Sequence, residues 1–225
     1  LLCIGHRGAA GHEPENTIRS IRRALAMGVD GIEIDVHCVD GELLVIHDDR
    51  LSRTTNGTGL LRQHPLSEIR ALDAGQGERV PLLREVLDVV DRRAFVNIEL
   101  KGRRTALPVL ALLRDYTAHR GWAPGDFLIS SFRRTELRQL PGAGFPIGIL
   151  FAGSARLFRR IARELGAASV HVPLQRVNPG LVSRVHAEGC KLLVYTVNAR
   201  EDMERMQRLG VDGIFTDFPD RWTGK

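Results

Sequence analysis

Nine short runs rich in Val, Ile and Leu recur along this chain, and helical stretches separate most of them. The runs are 2–4, 31–36, 43–46, 95–100, 127–130, 147–151, 169–172, 192–197 and 213–216. Most are apolar at nearly every position instead of alternating. Strands buried on both faces read this way. Residues 17–27 carry Ile18, Ile21 and Leu25 at helical spacing, with Gly28 as a stop. Further helical stretches are predicted over 82–90, 107–113, 135–140, 155–165, 179–188 and 201–209. Gly166, Gly189 and Gly210 sit just past three of them, where C-cap glycines belong. In the second half, strands recur every 20 to 24 residues or so, about the minimum for a strand, a helix and two loops.

Such βα units build either an open doubly wound sheet or a closed barrel. An open nucleotide-binding sheet is expected to carry a Gly-rich phosphate loop after its first strand. Here that strand runs into Gly5-His6-Arg7-Gly8. Polar residues instead end many strands: His6, Glu33 and Asp35, His47, Glu99 and Lys101, Ser130-Ser131, Tyr195 and Asn198, Asp217. A site assembled from strand ends all round the sheet is the arrangement of a (β/α)8 TIM barrel. No Pro/Ser linker divides the chain, so residues 1–225 read as one domain.

Nine strand candidates exceed eight places. The extra one is 43–46, because Asp40-Gly41 is a hairpin signal directly after the second strand. A two-residue turn would pair Ile34 with His47. A three-residue turn would pair Asp35 with His47 and put both on one face. The spacing leaves both open, and a site joining His47 to the carboxylates calls for the second. Residues 48–80 exceed a plain βα loop and are expected to form a small insertion folded over the mouth, with the polar tip 54–59 near the site.

Composition narrows the function classes. The net charge is +5, but the arginines are dispersed in pairs such as Arg22-Arg23 and Arg133-Arg134, and aromatics are only 5%. This is a solvated surface, not a nucleic-acid face. No apolar run of about 18 residues is present to span a bilayer. Leu1-Leu2-Cys3-Ile4 lacks a basic front, and the three cysteines have no metal-ligand spacing. The expectation is a cytoplasmic protein, monomer or homodimer, without stable membrane insertion.

Glu33 and Asp35 lie two residues apart on a strand and share a face. In a barrel that face is interior, where two carboxylates repel and desolvate at a cost of several kcal/mol unless a cation sits between them. Asn97, Glu99 and Lys101 repeat the pattern. Glu33, Asp35 and Glu99 make an all-oxygen set that suits Mg²⁺ or Ca²⁺. A structural salt-bridge network, with Glu99 on Arg7 or Lys101, accounts for the same spacing. His6 and His47 each end an apolar strand. Side by side at one mouth, one imidazole can take a proton from a nucleophile and the other give one to a leaving group. Arg7 and Lys101 offer fixed positive charge for an anion. Together these groups suit phosphoryl transfer.

At these residues the chain resembles the glycerophosphodiester phosphodiesterase family. The likeness runs through His6-Arg7-Gly8, Pro14-Glu15-Asn16-Thr17, Glu33-Ile34-Asp35-Val36, His47-Asp48 and Thr54-Thr55-Asn56-Gly57-Thr58-Gly59. It continues at Glu99-Leu100-Lys101, Tyr195-Thr196-Val197-Asn198 and 212–219, in order along the whole chain. The resemblance implies a barrel with a small insertion near the second βα unit. It implies cleavage of small glycerophosphodiesters to glycerol 3-phosphate and an alcohol. It makes His6 and His47 the acid/base pair, Glu33, Asp35 and Glu99 the ligands of one divalent cation, and Arg7 and Lys101 the phosphate contacts. Tyr195 stands where the family often has Trp and keeps an aromatic wall. Glu15 is expected to orient Arg7 or a metal ligand. Asn16 supports the site or caps the following helix. Water or the glycerol hydroxyl beside the phosphate is the first nucleophile. Ser130, Ser131 and Phe132 read mainly as packing, and His171 as a pocket candidate. Two other readings are lysophospholipid cleavage of the phospholipase D type on the same barrel, and a catalytically silent anion-binding barrel.

Overall fold

The computed structural model describes residues 1–151 and 155–223. Its strands are β1 (Leu2–His6), β2 (Gly31–Val39), β3 (Glu42–Val45), β4 (Phe95–Leu100) and β5 (Phe127–Ser131). β6 (Ile147–Leu150), β7 (Ser169–Pro173), β8 (Lys191–Tyr195) and β9 (Gly213–Thr216) follow. The sheet order is β1-β9-β8-β7-β6-β5-β4-β2-β3, and β1 also pairs with β2. That last pairing closes eight parallel strands into a barrel and leaves β3 outside the ring. This is the (β/α)8 TIM barrel expected from the polar residues at the strand ends.

The helices are α1 (Ile18–Ala26), α2 (Leu66–Ala71), α3 (Leu83–Val90), α4 (Ala106–His119) and α5 (Arg134–Leu137). α6 (Ala155–Leu165), α7 (Pro179–His186), α8 (Arg200–Arg208) and α9 (Asp220–Thr223) complete them. Local chemistry sets their ends. The Thr17 hydroxyl accepts from the Ser20 amide at the start of α1, and Asn178 accepts from Leu181 at the start of α7. Apolar faces such as Ile21 and Ala24 of α1, or Val86, Leu87 and Val90 of α3, pack on the outside of the sheet. Inside the barrel, Ile4, Leu128, Leu193 and Phe215 form a separate small cluster.

The hairpin differs from the turn the site seemed to require. Val39 pairs with Glu42 and Val36 with Val45, so only Asp40 and Gly41 lie in the turn. Both have positive φ, 51° and 81°, as a type I′ turn demands. The register is therefore the two-residue one. It does not exclude His47 from the site, because the ladder ends before it. Ile46 donates to the Asp35 carbonyl at 3.0 Å, and the chain then leaves the pleat. Strand alternation no longer dictates where His47 points.

The insertion has a core of its own. Leu51, Leu61, Ile69, Ala74 and Val80 bury against Leu44 and Ile46 of the hairpin. This apolar demand seats residues 48–80 beside the hairpin. The tip of the insertion comes near the site, where Thr54 lines a small pocket with Glu15, Asn16 and His47, although no residue of 48–80 lines the larger mouth cavity.

The turn after β1 is tight. Gly8 has φ +85°, and a Cβ there would meet Ser20 Oγ at 2.4 Å and Ser20 C at 2.6 Å. Gly8→Ala is expected to cost about 3 kcal/mol, from left-handed backbone plus overpacking. Urea unfolding measures this, and a loss below about 0.5 kcal/mol, the usual range of neutral surface changes, would show slack in the turn.

Candidate active site

The turn after β1 delivers two groups. The Arg7 backbone is left-handed, φ 53°, and its amide donates to Glu33 Oε2 at 3.0 Å. Its guanidinium donates to Glu15 Oε1 at 2.8 Å and lies 3.2 Å from Asp35 Oδ2. Asn16 is also left-handed, φ 59°, and buried. Its side chain donates to Asp35 Oδ2 at 2.9 Å and accepts from the Asp35 amide at 3.3 Å. Thr17, not Asn16, caps α1. Asn16 instead holds Asp35, and Glu15 holds Arg7.

Parallel pairing of β2 with β4 aligns Asp35 with Glu99, and pairing with β1 aligns His6 with Glu33. Glu33, Asp35 and Glu99 are all buried, and each offers an oxygen within 4.8 Å of the others. Burial, then the charges of Asp35 and Glu99, push Glu33 well above the ordinary carboxylate range. Burial and Asp35 raise Glu99 as well. Glu33 Oε1 is buried without a hydrogen-bond partner among the described residues. A buried, acceptor-only oxygen beside two more carboxylates is a donor set for a hard cation. Lys101 Nζ bridges outward, 2.9 Å from Glu99 Oε1, 3.8 Å from Asp35 Oδ1 and 3.0 Å from His47 Nε2.

Each histidine is held through Nδ1 by a carboxylate. His6 Nδ1 lies 2.7 Å from Asp217 Oδ1, and Asn198 donates to Asp217 Oδ2 at 2.7 Å. Burial works to raise Asp217, but the bonds and charge of His6 and the Asn198 amide outweigh it and hold the carboxyl low. His47 Nδ1 meets Asp48, which also binds the Arg53 guanidinium. The Arg53 bond is the largest influence holding the Asp48 carboxyl down, to about 2. Arg53 reaches on to both oxygens of Glu15, tying the insertion to Arg7. These carboxylates fix ring orientation through Nδ1, and His47 Nε2 on the other side accepts from Lys101 Nζ at 3.0 Å. The sequence places Asp217 at a strand end and Asp48 beside His47 but assigns neither a role.

His6, Arg7, Glu33, His47, Glu99 and Lys101 share a cavity of about 140 Å³. Its other wall is Phe132, Leu150, Tyr195 and Phe215. Phe132, read as packing from sequence, is 49% exposed and meets Tyr195 edge-on at 6.3 Å. Burial pushes the Tyr195 phenol up to about 12, so it stays protonated. Ser131 fits the packing reading, donating to the Leu100 carbonyl at 2.6 Å.

A barrel that gathers buried carboxylates, fixed cations and two oriented imidazoles at the carboxyl ends of its strands is built for hydrolysis of a phosphoric ester. The chain belongs to the glycerophosphoryl diester phosphodiesterase family, whose model matches residues 6–221. It is a phosphoric diester hydrolase. It is 38% identical to a glycerophosphodiester phosphodiesterase of Caldanaerobacter subterraneus subsp. tengcongensis, over 97% of this chain and 95% of the relative. A glycerophosphodiester phosphodiesterase of Bacillus subtilis is 34% identical, over 98% of this chain and 84% of that one. Among solved structures, an Oleispira antarctica phosphodiesterase in complex with the product sn-glycerol-3-phosphate superposes with a TM-score of 0.91. It is 30% identical and covers 100% of this chain and 96% of its own. A glycerophosphodiester phosphodiesterase from Agrobacterium tumefaciens gives 0.85 at 32% identity, covering 100% and 99%.

Proposed function

We propose that this enzyme hydrolyses small, water-soluble glycerophosphodiesters to glycerol 3-phosphate and an alcohol. The observation that carries the reading is the buried Glu33–Asp35–Glu99 set, with its unpartnered Glu33 Oε1, of which Glu33 and Glu99 line the same cavity as His6 and His47. The three carboxylates would hold one divalent cation, Mg²⁺ or Ca²⁺, which when bound polarises a phosphoryl oxygen and neutralises charge. Arg7 and Lys101 orient the phosphate by charge-assisted hydrogen bonds. Nε2 of one imidazole takes the proton of the attacking hydroxyl, and Nε2 of the other supplies a proton to the departing alkoxide. Tyr195 walls the cavity, and Glu15 and Asn16 position Arg7 and Asp35. A silent anion-binding barrel would have no need of two imidazoles each oriented by its own carboxylate.

Residues 1–225 act as one catalytic unit, since the insertion shares its core with the hairpin. We place it in the cytoplasm, as monomer or homodimer, from composition. The test is a head-group panel assayed for glycerol 3-phosphate release, with and without chelator. A product other than glycerol 3-phosphate across the panel would overturn the reading.

The panel also decides between soluble diesters and lysophospholipids. The insertion adds no apolar groove, and Leu107 and Phe132 are the large hydrophobics exposed among the described residues. An acyl chain leaving this mouth would gain little from the protein. Glycerophosphocholine or glycerophosphoethanolamine should exceed lysophosphatidylcholine in kcat/KM by about tenfold or more, compared below the micelle concentration. Equal values, or a lysophospholipid preference, would favour the phospholipase D type reading.

A further inference from the structure

Below the charged groups, the cavity has polar lining that the proposed chemistry does not use. Asn97 on β4 and His171 on β7 both line it, and both are at most 1% exposed. Asn97 Oδ1 and His171 Nδ1 have no hydrogen-bond partner among the described residues. His171 Nε2 pairs with Ser169 Oγ at 2.8 Å, which fixes the ring plane. The ring lies 5.1 Å from the Phe215 ring. Space for it comes from β6, where a Cβ on Gly148 would meet His171 Nε2 at 2.7 Å and Ser130 Cβ at 3.1 Å. Ser130 Oγ, beside it, is a third buried atom without a partner.

Buried polar atoms left unpaired are costly, and native proteins hold few of them. Two facing one cavity indicate a ligand that satisfies them. Their chemistry selects its kind. An amide oxygen and an imidazole kept neutral by burial do not attract an anion. They suit an uncharged hydroxyl, which donates and accepts at once. Leu150 and Phe215 on the same side suit the carbon skeleton that carries it.

We propose that Asn97 and His171 form a polar floor that hydrogen-bonds the terminal hydroxyl of the substrate's glycerol moiety and so selects glycerol esters. This rests on the glycerophosphodiesterase reading above. Phosphate and cation would then lie among the charged groups at the mouth, with the glycerol end below.

The test compares glycerophosphocholine with the phosphocholine ester of propane-1,2-diol. That analogue keeps the hydroxyl beside the phosphate and lacks only the terminal one. In the wild type, kcat/KM should favour the glycerol ester by about tenfold to a hundredfold, the worth of a buried hydroxyl contact. In His171→Phe, which keeps the ring and removes both nitrogens, the ratio should fall to about threefold or less through loss of the glycerol ester's advantage. Asn97→Ala is the second variant, for the case that His171→Phe does not fold, and should compress the ratio in the same direction. A merely structural role would lower both rates and leave the ratio intact. An unchanged ratio in the folded variants overturns the floor and leaves the glycerophosphodiesterase reading standing. Failure of the wild type on both esters, with chelator-free metal present, overturns that reading instead.

Discussion

His47→Ala and His6→Ala should each lower kcat by about a hundredfold or more, the range for loss of a general acid or base. The expectation rests on geometry. Each Nδ1 is anchored, His6 on Asp217 and His47 on Asp48, and each ring lines the cavity. Burial also lowers the proton affinity of His47, against the pull of Asp35, which favours its neutral form. Neither histidine belongs to the apolar core, and both are partly exposed, so the fold should survive the truncations. Arg7→Ala should behave differently, raising KM as well as lowering kcat, because its guanidinium would meet the phosphate in ground and transition states alike. Steady-state kinetics on glycerophosphocholine, with circular dichroism to confirm folding, separates the cases. If either histidine variant keeps near-normal kcat at its own pH optimum, that residue is structural and the two-imidazole mechanism is wrong.

Removal of divalent cations should abolish turnover, and Mg²⁺ or Ca²⁺ should restore it. Three buried carboxylates with oxygens within 4.8 Å cannot all be charged without compensation. Arg7 and Lys101 supply part of it, at 3.2 Å from Asp35 and 2.9 Å from Glu99. Neither reaches Glu33 Oε1. Glu33→Gln should therefore weaken cation binding by about tenfold or more, while costing little stability in metal-free protein, since it removes a buried charge that repels its neighbours. Isothermal titration with each cation and urea unfolding with chelator measure the two effects separately. Full activity in excess chelator, with metal content verified as nil, would falsify the metal requirement. It would leave the salt-bridge network of Glu99 and Lys101 as the reason for the acidic set.

Part of the site is legible at the strand ends. Glu33 and Asp35 share a face because strand side chains alternate with period two, a rule independent of neighbours. The same rule misled at the hairpin. It treated His47 as part of a continuous strand and asked the turn for a third residue, whereas the ladder stops at Ile46. The insertion was legible as excess length between the hairpin and α3. Its seat was not, because apolar residues spaced across 51–80 show that a core forms without showing which surface it meets. Here that surface is the outer face of the hairpin, through Leu44 and Ile46. Phe132 was equally opaque: exposure at a rim depends on what packs around it, and Tyr195 comes from a strand far away in the chain.

By itself, the sequence determined the succession of βα units, where most helices begin, and the residue types at the strand termini, but it stopped α4 at 113, short of His119. What it did determine follows from local periodicity, capping chemistry and the minimum length of a βα unit, all short-range properties. Only the tertiary structure decided which carboxylate holds which imidazole, that Asn16 serves Asp35 and not a helix end, and that Glu33 Oε1, Asn97 Oδ1 and His171 Nδ1 lack partners. Such facts depend on the closure of β1 against β2 and β9, which brings Asp217 to His6 across 211 positions. Hydrogen bonds are satisfied or left open over distances of about 3 Å. Periodicity in a chain carries no information on that scale between residues so far apart.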